Sequence, residues 1–448
     1  MNTNRRNISF AALAFTVCAQ LFVSGGSAEA AGPTSYLVWA NAGYANTGDG
    51  IVAVDGGSAI NASRLGVSPI SREWLSGSQN RGGDLLTPLD MVMDSAKGFV
   101  YWVDEYGVGR APIGGCPPTK LCTKSLYGTF ELTGHKPASE YVTGISLDVT
   151  RNYLYVGIYN TELETYQIIK LKADGSSNPS DALVLSSAQD IAANAGIGSI
   201  VVFEDKLYFT VDGRSAESSI GWASLTTSDH GDLITSANPM VDRPWGLAVD
   251  VKNRSLYWAN WTDNSVDTGS ISKWDFGTNL AYSLYTNTNC PTNLHGPAGV
   301  AIDSTTGKIY WGSYNGGDPG VGSIAAGACS AINTTGVVNR QQVSVAILKS
   351  PTLVSAPKIS FKRTKHALLK CTTGTWLADV GASRLFQAPE TSKFTYQWKH
   401  NGQTIKGSSA TLRAKKAGSY RCSVKGTNYA GSFTATSGSL KVKSNQAR

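Results

Sequence analysis

Charge and histidine are both scarce in this 448-residue chain. Only 16% of the residues are Asp, Glu, Lys or Arg and five are His, while 48 are Gly. That balance suits many short strands joined by tight turns and excludes a surface of long solvated helices, so the first expectation is an all-β fold. No Gly-x-Ser-x-Gly, His-Glu-x-x-His or phosphate-cradling glycine loop occurs, which removes three common signatures of hydrolases, zinc proteases and nucleotide-binding enzymes. Along the repeats described below only His135, His230 and His295 are available as metal ligands or acid–base groups. They fall at different kinds of position, so neither a three-imidazole metal site nor a catalytic histidine is expected, and no cofactor is implied.

A membrane-spanning segment is also lacking. The apolar run from about Ile8 to Val23 is shorter than the roughly 18 residues a span needs. It follows Arg5-Arg6 and precedes Ala28-Glu29-Ala30, the three-part pattern of a secretory signal over 1–30 with cleavage after Ala30. Val17 precedes Cys18 where lipid attachment needs a small residue, so a lipid anchor is not supported. A secreted or extracellular protein, including one held at a cell surface, is expected. Removing the signal leaves Cys116, Cys122, Cys290, Cys329, Cys371 and Cys422. An even number in an exported chain favours disulfides, no pair has zinc-site spacing, and six cysteines allow about 15 pairings. Locality favours Cys116 with Cys122.

What is present is a repeat. In the stretch from Arg243 to Asn260, Pro244 punctuates, Leu247-Ala-Val249 reads as a short buried strand, Asp250 to Ser255 as a turn, and Leu256-Tyr-Trp258 as an aromatic second strand. Shorter copies end in Asp94, Asp148 and Asp303, spaced 54, 102 and 53 residues along the set that includes Asp250, and the double interval holds a further copy around Ile200–Phe209. A sixth aromatic strand, Leu37-Val-Trp39, opens the mature chain without an inner strand. Gln342–Leu348 alternates like the inner strands and is expected to supply it, because an open ring exposes unpaired edges. Four strands at this period are the pattern of a propeller blade, giving six blades over 31–350. The recurring aspartates are read as turn residues whose carboxylates accept backbone N–H bonds.

Tyr101-Trp-Val-Asp104, followed by Gly109-Arg-Ala-Pro-Ile-Gly-Gly115, resembles the YWTD-repeat propellers of the low-density-lipoprotein-receptor type, with NHL-type propellers as neighbours. Tyr257-Trp-Ala-Asn260 and Trp39-Ala-Asn41 keep an amide at the fourth place, and Tyr310-Trp-Gly-Ser313 keeps a hydroxyl. The resemblance covers about 35–350 and implies the six-bladed fold. Related propellers include receptors, scaffolds, lyases and lactonases, so it does not fix a function.

After a linker at 351–357 the composition changes. Residues 358–448 carry 17 Lys and Arg against Asp379 and Glu390. The whole chain is +7, this tail +15 and the signal +1, so the mature propeller is −9. Leu369-Lys-Cys371, Tyr396-Gln-Trp398 and Tyr420-Arg-Cys422 resemble an immunoglobulin-like β-sandwich, with Trp398 on its third strand and Tyr420 as the tyrosine corner. The resemblance implies a Cys371–Cys422 disulfide and leaves Cys290 with Cys329. Cys290 is expected between blades and Cys329 near an outer hairpin, places that normally lie on opposite faces, so another partner for Cys290 stays open.

The candidate binding residues follow the aromatic strands, where the chain turns on one face of the disc: Tyr44, Tyr106, Tyr159, Trp261 and Tyr314, with Asn260 and Asn315. Arg243, Trp245 and His295 join that face from the inter-blade side. Aromatic rings rimmed by polar groups suit a glycan or an extracellular protein, whereas the bland reading is packing between blades. The basic tail suits an anionic wall polymer or lipid surface, and export argues against nucleic acid. The rival reading is a hydrolase or lyase using the central channel. The positions where inner strands begin (Leu89-Asp90, Gly144, Gly246, Gly299) offer it one obvious ligand, Asp90.

Overall fold

Short turns closed by aspartate carboxylates set the repeating unit. Asp94 Oδ1 accepts the Lys97 N–H at 2.8 Å, Asp148 Oδ1 that of Arg151 at 2.9 Å, and Asp250 Oδ1 that of Asn253 at 3.0 Å. Each such turn joins an inner strand to an aromatic second strand: Asp90–Asp94 to Phe99–Asp104, Glu140–Asp148 to Tyr153–Asn160, and Pro244–Asp250 to Ser255–Trp261. Pro297–Asp303 and Lys308–Ser313 repeat the pairing. Ala195–Phe203 and Lys206–Gly213 manage it with a two-residue turn, in which Glu204 takes the left-handed φ of 55° that such a tight hairpin calls for.

The computed structural model describes residues 35–46, 51–65, 72–76, 88–94, 97–104, 107–113, 124–128, 140–160, 165–176, 183–186, 195–213, 218–261, 269–286, 289–290, 296–304, 306–313, 321–325, 328–331, 342–351, 353–363, 367–376, 394–428 and 431–446. Two further strands complete each unit, so that six four-stranded antiparallel sheets follow one another along the chain. The first sheet takes its inner strand from far away: Gln342–Lys349 pairs antiparallel with Ser35–Asn46, Val345 opposite Trp39. Each inner strand packs on that of the next sheet, and Gln342–Lys349 packs on both Pro297–Asp303 and Asp90–Asp94. The ring is therefore closed, and the fold is a six-bladed β-propeller. Among the described residues no helix is long and apolar enough to cross a membrane.

The core lies between blades rather than within them. Both faces of a middle strand are covered, so successive side chains serve opposite neighbours. Tyr101 joins the apolar cluster shared by blades 2 and 3, while Trp102 joins the one shared by blades 1 and 2. Tyr155 and Tyr208 likewise face the following blade, and Val156 and Phe209 the preceding one. Trp39, Trp102, Trp258 and Trp311, at equivalent places, are all fully buried. The third strand makes room for a large ring: a Cβ on Gly109 would stand 2.2 Å from Trp102, and one on Gly221 2.4 Å from Phe209.

On the face that carries the aspartate turns, ion pairs run from blade to blade. Arg151 bonds its own Asp148 and reaches Asp205, Arg254 reaches Glu204, and Lys349 Nζ lies 2.6 Å from Asp303 Oδ1. The first two sets are largely exposed and contribute little, about 1 kcal/mol or less each. Lys349 and Asp303 are nine-tenths buried, and they bind the closing strand to the last blade.

Beyond Pro351 the chain forms a two-stranded ladder, Leu353–Ser355 with Thr375–Trp376, and a pair of larger sheets. Ile359–Arg363, Ala367–Cys371 and Thr411–Ala414 make one, and Gln403–Ile405, Thr395–His400, Gly418–Asn428 and Gly431–Thr436 the other, with Leu440–Val442 beside Gly418–Asn428. The Cys371–Cys422 disulfide joins the two sheets. Trp398 is buried against it with its Nε1 donating to Ser409 O, and the Tyr420 hydroxyl donates to Lys416 O at 2.7 Å. Asn428 Nδ2 donates to Lys349 O, a buried contact between these sheets and the closing strand. Cys290 is buried and disulfide-bonded. The side chains of Cys116, Cys122 and Cys329 lie outside the described residues.

Two outcomes follow from the closure and the buried tyrosines. A chain ending at Gly336 leaves blade 1 without its inner strand and should aggregate, whereas one ending after Pro351 should stay soluble. A soluble, cooperatively melting Gly336 truncation would contradict the closure. Burial, reinforced by Asp94, Asp148, Glu204 and Asp303 respectively, pushes Tyr101, Tyr155, Tyr208 and Tyr310 from 10.0 up to about 12. Because these folded-state values are raised, the stability they confer is complete below about pH 10 and is lost as pH rises through about 12. In an alkaline titration, the tyrosinate absorbance of these four rings should therefore appear together with loss of the β-sheet signal. Ionisation of all 19 tyrosines near pH 10 with the fold intact would count against it.

Candidate functional sites: the axis and one face

One position repeats around the propeller axis. In register with the second strands, the residues just before Val345, Met91, Ile145, Ile200, Leu247 and Val300 are Ser344, Asp90, Gly144, Ser199, Gly246 and Gly299. Inner strands of blades 3 to 6 break register here, between Val142 and Ile145, Ile197 and Ile200, Pro244 and Leu247, and Pro297 and Val300. Such bulges bend the strands inward and bring backbone against backbone. A Cβ on Gly246 would fall 2.1 Å from Ala298 O, and one on Gly299 2.8 Å from Val345 N. Only glycine fits there.

Asp90 is the one carboxylate of this ring, and it is 2% exposed. Its Oδ1 accepts from Met91 N at 2.9 Å and from Ser344 Oγ at 2.6 Å, and its Oδ2 from Ile145 N at 3.2 Å and Ser199 Oγ at 3.3 Å. At least four donors from four blades converge on one side chain, about the number of lone-pair positions a carboxylate offers. Thr210 Oγ1 extends the network by donating to Trp245 O at 2.7 Å, and it accepts from Ser199 N. The four glycine and acid positions named from sequence thus do meet at the axis. Ser199 and Ser344 were missed. The signal for them was the same register position, read across all six repeats.

The opposite end of these strands carries the second cluster. Arg243 precedes Pro244 yet holds φ at 51°, a left-handed conformation where a residue before proline favours extended backbone. Its neighbours compensate. Arg243 O accepts from Trp261 N at 2.9 Å, its Nε donates to Asp212 Oδ1 at 3.0 Å and its Nη2 to Oδ2 at 3.4 Å. The guanidinium lies over the Trp261 ring, 4.3 Å from the centroid, and Trp245 meets Trp261 edge-on at 6.3 Å. Asp212 is the penultimate residue of the second strand of blade 4, and Arg243, Trp245 and Trp261 belong to blade 5 and the turn before it. The cluster therefore spans a blade junction.

Asn260 is buried and acts from beneath. Its Nδ2 donates to Met240 O and Ser270 Oγ, its Oδ1 accepts from Asp242 N, and Trp258 Nε1 also donates to Met240 O. The Tyr257-Trp-Ala-Asn260 copy of the repeat motif thus anchors the turn that presents Arg243. Tyr159 is half-buried and stacks on Tyr166 of its own blade at 4.4 Å. Tyr44 lies in the backbone ladder opposite Ala53. Tyr106, His295, Tyr314 and Asn315 lie outside the described residues, as does His135. His230 begins an outer strand with its Nδ1 on Ser228 O, and among the described residues no group of His, Cys, Asp and Glu is arranged to hold a metal.

The fold defines a six-bladed β-propeller followed by a disulfide-linked pair of sheets. No known family model matches the chain. Among solved structures it is similar to a Bacteroides uniformis protein described as a 6-phosphogluconolactonase, at 12% identity and a TM-score of 0.44 over 70% of this chain and 99% of that one. An oligogalacturonate lyase in complex with manganese gives 10% and 0.38 over 61% and 70%. PorZ, a bacterial surface component of the type-IX secretion system of Porphyromonas gingivalis, gives 12% and 0.34 over 85% and 56%. At TM-scores below 0.5 these likenesses carry no argument about what this chain binds or does.

The axial network predicts a large cost for Asp90→Ala. Two hydroxyls and two backbone N–H groups lose a buried acceptor, so the urea midpoint should fall by the equivalent of about 3 kcal/mol or more. A change within about 0.5 kcal/mol, the range of ordinary surface substitutions, would contradict the role assigned to Asp90.

Proposed function

We propose that the chain is an exported binding protein of the YWTD-like propeller type. Residues 1–30 direct export, 31–350 form the recognition domain, and 358–448, after the linker at 351–357, form an immunoglobulin-like domain that aids attachment to an anionic surface. The ligand is a glycan or an extracellular protein, taken at the propeller face that carries Arg243, Trp245 and Trp261. The disulfide-bonded Cys290, Cys371 and Cys422 support an oxidising compartment. The Cys371–Cys422 bridge, the Trp398 packed on it and the Tyr420 hydroxyl bond support the immunoglobulin-like reading.

One observation carries the binding reading. A guanidinium is fixed over an indole by a carboxylate, beside a second indole, at a junction between two blades and on a strained backbone. Strain held at a largely buried cluster is a mark of preorganisation, and rings ordered by a fixed cation offer what area they expose at low entropic cost. The axis suits the rival hydrolase or lyase less well, because the lone pairs of Asp90 are directed at protein donors.

Ligand capture from a glycan array and a wall-fraction pull-down tests the reading. Replacing Trp261 and Tyr314 together by Ala should weaken capture by at least about tenfold, or 1.4 kcal/mol, and leave the melting temperature nearly unchanged. A double variant that melts much earlier would make these rings inter-blade packing and overturn the recognition face.

A further inference from the structure

The outer face of the five-stranded C-terminal sheet is built in an unusual way. Strand alternation sends Tyr396, Trp398, Tyr420, Cys422 and Val424 inward and leaves Lys399, Arg421, Lys425 and Lys441 outward, all four exposed. Lys399 and Arg421 are direct cross-strand partners. Like charges placed opposite each other in an antiparallel ladder destabilise the pairing, and no salt bridge joins either residue to a carboxylate among the described residues. The spaces between the cations are filled by small hydroxyl residues such as Thr404, Ser423, Thr434 and Thr436, with the Ser423 and Thr436 hydroxyls bonded at 2.9 Å. No described residue of this outer face is acidic, aliphatic or aromatic.

We infer that this face binds a linear phosphate polymer, lying along Gly418–Asn428 with one phosphate between Lys399 and Arg421. The proposal deepens the attachment role given above to the basic domain and rests on it. A phosphate seated between the two cations turns their repulsion into two charge-assisted bonds. Arg421 and Lys425 lie on one strand four residues apart, about 13 Å at 3.3 Å per residue, so an extended polyanion meets successive charges along its length. Hydroxyls supply further donors to phosphate oxygens. A membrane-binding face would carry apolar side chains to insert below the headgroups, and a single-stranded nucleic-acid face would carry outward rings for stacking. This face has neither.

The test uses the full-length mature protein and long-chain inorganic polyphosphate as the probe, at low salt and then at rising salt. The variant Lys399→Gln/Arg421→Gln should lose at least about tenfold in affinity. Lys362→Gln/Arg413→Gln, which removes the same charge from the outer face of the other sheet, should lose no more than about threefold. Without polyphosphate, Lys399→Gln alone should melt no lower than wild type, since it relieves a repulsion. Equal losses in the two double variants would reduce the effect to net charge and overturn the site. Phosphatidylglycerol vesicles that bind as tightly as polyphosphate would replace the polymer by a lipid surface, and no binding at low salt would also overturn the proposal. The Trp261→Ala/Tyr314→Ala variant should hold polyphosphate as wild type does. Failure of the sheet face with intact ligand capture therefore refutes the polymer site and leaves propeller recognition standing.

Discussion

A single carboxylate, set where inner strands converge, is the interaction on which the rest of the propeller depends. Asp90 takes hydrogen bonds from the closing strand through Ser344, from its own strand through Met91, and from blades 3 and 4 through Ile145 and Ser199. Burying a carboxylate is costly unless its oxygens are satisfied, so this arrangement tolerates few alternatives. The glycines at the equivalent positions of blades 5 and 6 have the complementary task. They let neighbouring backbones close to a distance that any side chain would prevent.

Outward from the axis, specificity gives way to bulk. Middle strands of blades 2, 4, 5 and 6 carry a Tyr followed by a Trp or Phe, one for each neighbouring blade, and exchanging one buried ring for Ala typically costs about 3–5 kcal/mol. Apolar packing of this kind holds blades together, but it is indifferent to how many blades there are. The count is settled by closure, for which Gln342–Lys349 must reach Ser35–Asn46 and bind Asp303 through Lys349. The same strand then meets the C-terminal sheets through Asn428, at the end of the blades away from Arg243 and Trp261. The C-terminal sheets and the Arg243–Trp261 cluster therefore lie at opposite ends of the blades.

Much of this was legible in the sequence, and the reason is periodicity. Tyr101-Trp102, Tyr257-Trp258 and Tyr310-Trp311 advertise the second strands because each ring must be apolar on its own side of the blade. The closing strand was legible from the alternation of Val343, Val345 and Ile347. Blade 4 was harder, since Phe203 stands where the other turns have Asp. The axial ring was only half legible: Asp90 and the glycines were visible as strand starts, but Ser199 and Ser344 look like ordinary surface serines until the six repeats are placed in register. At the face, sequence grouped Asn260 with Arg243 and Trp261 by proximity alone. Geometry separates them, for Asn260 is a buried anchor and the other two form the half-buried cluster.

Axial bonding makes the closing strand and blades 1 to 4 one cooperative unit. Native-state hydrogen exchange resolved to single amides tests it most directly, because a cooperative unit opens with one free energy. The N–H groups of Met91, Ile145 and Val345 should exchange only through global unfolding and share one dependence on denaturant. If Val345 and its strand exchanged first, through a local opening that left Met91 and Ile145 protected, the ring would be closed by weak pairing alone and the account would be contradicted.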